Sequence, residues 1–109
     1  MSFNIIPTSN FFRKAKKLSK KYVSFKSDLM NLKEQLLENP LVGTSIGKDC
    51  YKIRMSIASK GKGKSGGARV ITCVKIVNET IYLLTIYDKS EQENINDNEL
   101  DELLKQAGL

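Results

Sequence analysis

Lys52 and Arg54 stand two residues apart in the run DCYKIRM, and Arg69 opens the next β-branched run, RVITCVKIV. Residues two apart in a strand point to one face. Pairing across the hairpin would therefore bring these three cations together, with Lys89, just past the third predicted strand, at the same edge. A cation cluster without acids is costly unless an anion sits among it, and crowding of like charge favours the neutral amine that a base requires. For RNA cleavage such a cluster is enough chemistry. A base takes the 2′-hydroxyl proton, cations stabilise the crowded pentavalent phosphate, and an acid protonates the leaving 5′-oxygen. That reaction needs no metal and no cofactor. The chain has no histidine, so the commonest general base and the commonest metal ligand are both missing, and catalysis must rest on Lys, Arg, Tyr or carboxylates.

Between the two cationic strands lies ASKGKGKSGG, Ala58 to Gly67, which fits the loose nucleotide-loop pattern of a small residue, four spacers and Gly-Lys-Ser. A phosphate loop requires a helix after it, because the helix N-terminus holds the phosphates. Here Gly-Gly and a β-branched run follow, the first position is Ala58, and the chain is too short for the parallel sheet such sites use. What remains is a cationic finger, with Lys60, Lys62 and Lys64 placed to lie on a nucleic-acid backbone; its plain alternative is a long polar hairpin connection.

The elements that must position these residues read in order as strand, helix, helix, three strands, helix. Phe3 to Ile6 is a short apolar run ended by Pro7. Thr8, Ser9 and Asn10 offer N-caps for a helix through about Lys21, with Phe11, Ala15, Leu18 and Tyr22 on one face and Lys16, Lys17 and Lys20 among the basic residues opposite. Ser24 is a second N-cap candidate, followed by Phe25, Leu29, Leu32 and Leu36 until Asn39-Pro40 stops the helix. Val42 to Lys48 is rich in turn residues. Cys50 to Ile57 alternates, with Tyr51, Ile53, Met55 and Ile57 opposite the cationic Lys52, Arg54 and Ser56 face. Arg69 to Val77 and Ile81 to Tyr87 then form a hairpin about Asn78-Glu79-Thr80. Asn96 and Glu99 make a possible capping box for a last helix presenting Leu100, Leu103, Leu104 and Ala107. Three strands with short links predict an antiparallel sheet with the helices packed against one face.

The chain has 109 residues, enough for one domain that buries roughly 60 to 70 per cent of its unfolded surface. Its net charge of +6 is unevenly spread: seven basic residues and no acid from Arg13 to Lys26, eight basic against Asp49 from Lys48 to Lys75, seven acids against Lys89 from Asp88 to Glu102. Two basic blocks predict a surface that faces a polyanion. No apolar run is long enough to span a bilayer and MSFNIIPTSNFF does not read as a secretion signal, so the expected location is the cytoplasm. Cys50 and Cys73, in separate apolar segments with no CxxC, are expected to be reduced, structural thiols.

Three runs, DCYKIR at Asp49 to Arg54, GKGKSGGARVI at Gly61 to Ile71 and YLLTIYDKSEQENI at Tyr82 to Ile95, together resemble the RelE/HigB-type toxins of bacterial type II toxin–antitoxin systems, the second run being particularly like a HigB-like branch. The resemblance covers most of the chain and implies an α+β, RelE-like fold over residues 1–109: a small, mostly antiparallel four-stranded sheet with an N-terminal helical hairpin and a C-terminal helix. It implies an mRNA interferase, an endoribonuclease that enters the ribosomal A site, docks on ribosomal RNA and cuts the exposed codon. By position Lys52 matches the family's general base, Arg54 a transition-state cation and Arg69 the arginine that grips the scissile phosphate, with Lys89 in a segment that carries further catalytic groups. Ser90 and Asn96 depart from the family pattern, standing where it has a general-acid arginine and a base-stacking tyrosine. Lys89, Lys64 and Tyr87 are then the candidates for the acid. The resemblance also implies an antitoxin that covers the basic surface and brings the pair to operator DNA. A ParE-like gyrase inhibitor on the same fold, or a basic nucleic-acid-binding module that never cuts, are the competing readings.

Overall fold

The computed structural model describes residues 2–61, 63 and 66–109. Strand β1 (Asn4–Pro7) leads into helices α1 (Ser9–Lys21) and α2 (Phe25–Glu38). Strands β2 (Thr44–Gly47), β3 (Cys50–Met55), β4 (Ala68–Lys75) and β5 (Thr80–Asp88) follow, then helix α3 (Asp97–Gln106). The sheet order is β1-β5-β4-β3-β2, with β1 parallel to β5 and every other pairing antiparallel.

The sheet thus has five strands where four are expected. The extra one is β2, a four-residue edge strand within the turn-rich Val42 to Lys48 segment, paired with β3 through an irregular register. The helices are also divided between two faces. Phe11, Ala15 and Leu18 of α1 and Phe25, Leu32 and Leu36 of α2 bury their apolar stripes against Ile53, Met55, Val70, Ile81, Leu83 and Ile86. Leu100 of α3 packs on the opposite face, with Cys50, Ile71, Cys73, Leu84 and Tyr87. The expected single helical layer fails because Cys50, Ile71 and Cys73 give the second face an apolar end of its own, which needs a cover.

Local chemistry sets the helix ends. Thr8 caps α1 by accepting from the Phe11 N–H at 3.3 Å, and Asn96 caps α3 by accepting from the Glu99 N–H at 2.8 Å. Ser24 precedes α2 but its hydroxyl is spent elsewhere, donating to Asp28 Oδ2 at 2.7 Å.

The register of β4 against β5 slips by one residue between Ile71 and Thr72, leaving Leu84 as the extra residue of a β-bulge. Before the bulge Ile81 and Leu83 face the helical hairpin; after it Ile86 does. The Thr8 hydroxyl lies 3.0 Å from the carbonyl oxygens of both Leu83 and Leu84, so the start of α1 is tied to the bulge.

One acid organises the end of the sheet. Asp88, with its side chain fully enclosed, accepts from the Tyr22 hydroxyl at 2.6 Å, Lys60 Nζ at 2.7 Å, the Ser90 N–H at 2.9 Å and the Ser90 hydroxyl at 2.7 Å. Burial alone would raise its pKa, but these bonds from Lys60, Tyr22 and Ser90 outweigh it and hold the carboxyl well below the usual carboxylate range. The first residues of the Lys-Gly loop are fastened as well. Ala58 and Ser59 donate their N–H groups to Asp28 Oδ2 at 3.1 Å and to the Ser24 hydroxyl at 2.9 Å, and Ala58–Lys60 form one 3-10 turn. Gly67 closes the loop where a Cβ would lie 2.0 Å from the Met55 carbonyl oxygen, a position only glycine can occupy.

Asp88→Asn leaves Lys60 facing a neutral partner and should cost about 3 kcal/mol at neutral pH, read by urea unfolding. A depressed folded pKa stabilises the fold above the unfolded value, about 3.9, and that contribution is lost as pH falls through the folded value. The wild type should therefore lose stability in acid below about pH 4 more steeply than Asp88→Asn. Equal acid slopes for the two proteins would count against this role.

Candidate active site

β3 and β4 pair without slippage from Cys50↔Cys73 to Met55↔Ala68. Val74 donates its N–H to the Asp49 carbonyl at 2.9 Å, which marks 49 and 74 as a hydrogen-bonded pair. Alternate pairs on the same ladder, 50 with 73, 52 with 71 and 54 with 69, are then non-hydrogen-bonded, the kind in which side chains approach most closely. Arg54 therefore stands directly opposite Arg69, and Arg69 directly opposite Tyr87 on β5. These three form one cross-strand row on the α3 face, at the end of the sheet away from the Cys50 and Cys73 pair that Leu100 covers.

The row is steeply graded in exposure. Arg54 is exposed, Arg69 is only 4% exposed and Tyr87 7%. Burial, and then the charge of Arg54, hold the Arg69 pKa below its ordinary value, while Tyr87 acts in the other direction. Arg69 Nη1 also donates to the Ala68 carbonyl at 3.0 Å, which fixes the guanidinium against its own strand. The Tyr87 hydroxyl is buried and has no hydrogen-bond partner among the described residues. Burial raises its pKa, with Arg69 opposing, so the phenol stays protonated at neutral pH and can donate. Tyr87 also lines a cleft of about 390 Å³ between β5 and α3, shared with Gln92, Ile95 and Glu99.

Lys52 occupies the next row on the same face, opposite Ile71, and its Nζ donates to Asn94 Oδ1 at 3.0 Å. Lys89 follows β5 by one residue. Its N–H donates to the Gly67 carbonyl at 3.1 Å, which holds it at the Arg69 end of β4, and its Nζ lies 3.6 Å from Glu93. The expected cluster of Lys52, Arg54 and Arg69 is thus brought together, with Lys89 at its edge.

Other expected contacts are not brought to this face. Lys60 turns to the hairpin side, its side chain 9% exposed, with its ammonium held by Asp88 and 5.5 Å from the Tyr22 ring centroid. Lys16 and Lys20 rim a groove of about 560 Å³ floored by Phe11, Phe25 and Leu29 of the hairpin, and Lys17 lies exposed on α1. Lys62 and Lys64 lie outside the described residues. Sequence reasoning missed the Asp88 hub and the Asn94 contact. An acid closing a long apolar strand was the available signal for the first, whereas nothing in the residue pattern marks the second.

Chemically, two guanidiniums at closest strand approach beside a protonated phenol suit a doubly charged or crowded oxyanion, because like charges set opposite each other destabilise the bare sheet.

The model of the family described as "RelE toxin of RelE / RelB toxin-antitoxin system" matches residues 5–109. Among solved structures, an arginine-to-alanine double mutant of E. coli toxin RelE in the free state aligns at 16% identity and a TM-score of 0.64, over 97% of this chain and 98% of its own. The isolated E. coli RelE toxin aligns at 16% identity and a TM-score of 0.61, over 97% and 99%. A chain of the intact E. coli RelBE toxin–antitoxin complex aligns at 17% identity and a TM-score of 0.61, over 80% of this chain and 96% of its own. At such identities the structural likeness carries the fold.

Tyr87→Phe removes a buried hydroxyl that satisfies no partner among the described residues. It should leave stability unchanged or raise it by about 1 kcal/mol, measured by urea unfolding. A clear destabilisation would mean that the hydroxyl has a structural partner after all.

Proposed function

Since the chain belongs to the RelE toxin family, we propose that it is the toxin of a type II toxin–antitoxin system that inhibits translation by cutting mRNA in the ribosomal A site, without a metal. The observation that carries this reading is the Arg54, Arg69 and Tyr87 row, two opposed cations and a protonated donor on one strand-borne surface. Lys52 takes the 2′-hydroxyl proton. The 2′-oxygen attacks phosphorus, the bond from phosphorus to the 5′-oxygen breaks, and the products are a 2′,3′-cyclic phosphate and a free 5′-hydroxyl. Arg69 grips the scissile phosphate and Arg54 stabilises its added negative charge. Of the acid candidates among the described residues, Tyr87 is better placed than Lys89, because Lys89 is engaged with Glu93 and the Tyr87 phenol is both protonated and in the Arg69 row. Lys16, Lys17 and Lys20, with Lys62 and Lys64, supply backbone contacts to ribosomal RNA; Lys60, held by Asp88, does not share them.

The E. coli relative is found in a RelBE toxin–antitoxin complex. We extend that arrangement to this chain: a cognate antitoxin covers the basic surface and carries any contact with operator DNA. The site of action is then the ribosome, in the cytoplasm; among the described residues no helix is long and apolar enough to cross a membrane.

In a purified translation reaction the protein should cleave mRNA only when ribosomes are present. Arg69→Ala should abolish cleavage, Lys52→Ala reduce it, and Tyr87→Phe lower the single-turnover rate by about 10²-fold or more, each variant first shown by circular dichroism to be folded. Intact mRNA in the presence of ribosomes would overturn the reading. Trapped gyrase–DNA breaks would then point to a ParE-like activity, and salt-sensitive RNA binding without cleavage to a non-catalytic module.

A further inference from the structure

Cys50 and Cys73 have no part in the cleavage chemistry, yet their placement is specific. They are free, both fully enclosed, and directly opposed in a non-hydrogen-bonded pair of β3 and β4. In such a pair the Cα atoms lie roughly 4.5 Å apart, inside the range of about 4.4 to 6.8 Å that a disulfide spans. Cys50 Sγ donates to the Lys48 carbonyl at 3.3 Å and stands opposite Cys73 across the ladder. Their mutual interaction holds the Cys73 thiol below its ordinary pKa and, with burial, holds Cys50 above its own.

We propose that Cys50 and Cys73 are a redox-modification site, a dithiol that a low-molecular-weight disulfide converts to a reversible cross-strand disulfide. The Cys73 thiolate attacks one sulfur of the oxidant, whose S–S bond breaks and releases a thiolate. The Cys50 thiolate then attacks Cys73 Sγ in the mixed disulfide, forming the Sγ–Sγ bond and releasing the second thiolate. The two cysteines lose two protons and two electrons, and the oxidant leaves as two thiols.

Helix α3 governs access. It lies over the pair through Leu100, with Leu103, Leu104 and Ala107 only partly buried, so a short helix anchored by one enclosed residue must lift before an oxidant reaches the sulfurs. The link, once made, fastens β3 to β4 two same-face rows from Arg54 and Arg69. This inference does not depend on the cleavage reading.

The test incubates the native protein with glutathione disulfide, alkylates the remaining thiols and maps the peptides by mass. The expected product is lighter by two hydrogens, about 2 Da, with the Cys50 and Cys73 peptides joined and separated again by dithiothreitol. Leu100→Ala, checked for retained fold by circular dichroism, should form the link at least about tenfold faster, because its cover is weakened. A link seen only in that variant also supports the pair, with α3 opening as the slow step. Both thiols alkylated in both proteins, or mixed disulfides with glutathione that never resolve to the link, would overturn the proposal.

Discussion

The buried carboxylate of Asp88 is the constraint on which the active end of the sheet depends. A charge removed from water is tolerated only where several donors replace its hydration, and Asp88 draws those donors from three separate parts of the chain. Tyr22 ends α1, Lys60 begins the Lys-Gly loop, and Ser90 opens the segment toward α3. Met55, Ala68 and Asp88 make one cross-strand row, and Arg54, Arg69 and Tyr87 the adjacent row on the reverse face. The satisfied acid therefore lies back to back with the cations. Its network fixes the strand ends from behind and keeps the Asp88 carboxylate on the face away from the guanidiniums.

The front of the sheet follows the opposite logic. Opposed arginines are unfavourable in an empty sheet, and burying one of them adds desolvation to repulsion. The strand ladder, anchored by the close fit at Gly67 and by the Asp88 network, holds them in place regardless. On the proposed reading, such a site has already met the cost of bringing its charges together, so that a phosphate would find them oriented. The graded exposure from Arg54 inward to Tyr87 also gives the row a direction, with the solvent-facing cation outside and the enclosed donor within.

Much of this was legible in the residues because two periods are hard to counterfeit. The spacing of Phe11, Ala15 and Leu18 gives α1, the alternation around Lys52 and Arg54 gives β3, and the polar caps Thr8 and Asn96 mark helix starts that the structure keeps. What stayed hidden are properties that local pattern does not encode. β2 is a short edge strand of Thr, Ser, Ile and Gly whose pairing comes from β3. The placement of α3 on the second face depends on which strand face lacks a cover, a tertiary matter. Lys60 shares its composition with the rest of a cationic loop, and only a buried acid some thirty positions away separates it from its neighbours. Tyr87 could be named as a donor from its residue type, but its adjacency to Arg69 depends on register.

That adjacency is decided by the extra residue at Leu84. Strict alternation from Ile81 and Leu83 would carry Thr85 and Tyr87 under the helical hairpin and turn Asp88 toward Arg54 and Arg69. A carboxylate among the guanidiniums would neutralise them and leave a phenol where the Lys60 ammonium now needs a counter-charge. The bulge works as a phase shifter: by inserting one residue it exchanges the destinations of two side chains that are neighbours in sequence. Pairing the same β5 residues without the bulge would thus act as a change of electrostatic sign on both faces of the sheet at once, with no residue added or removed.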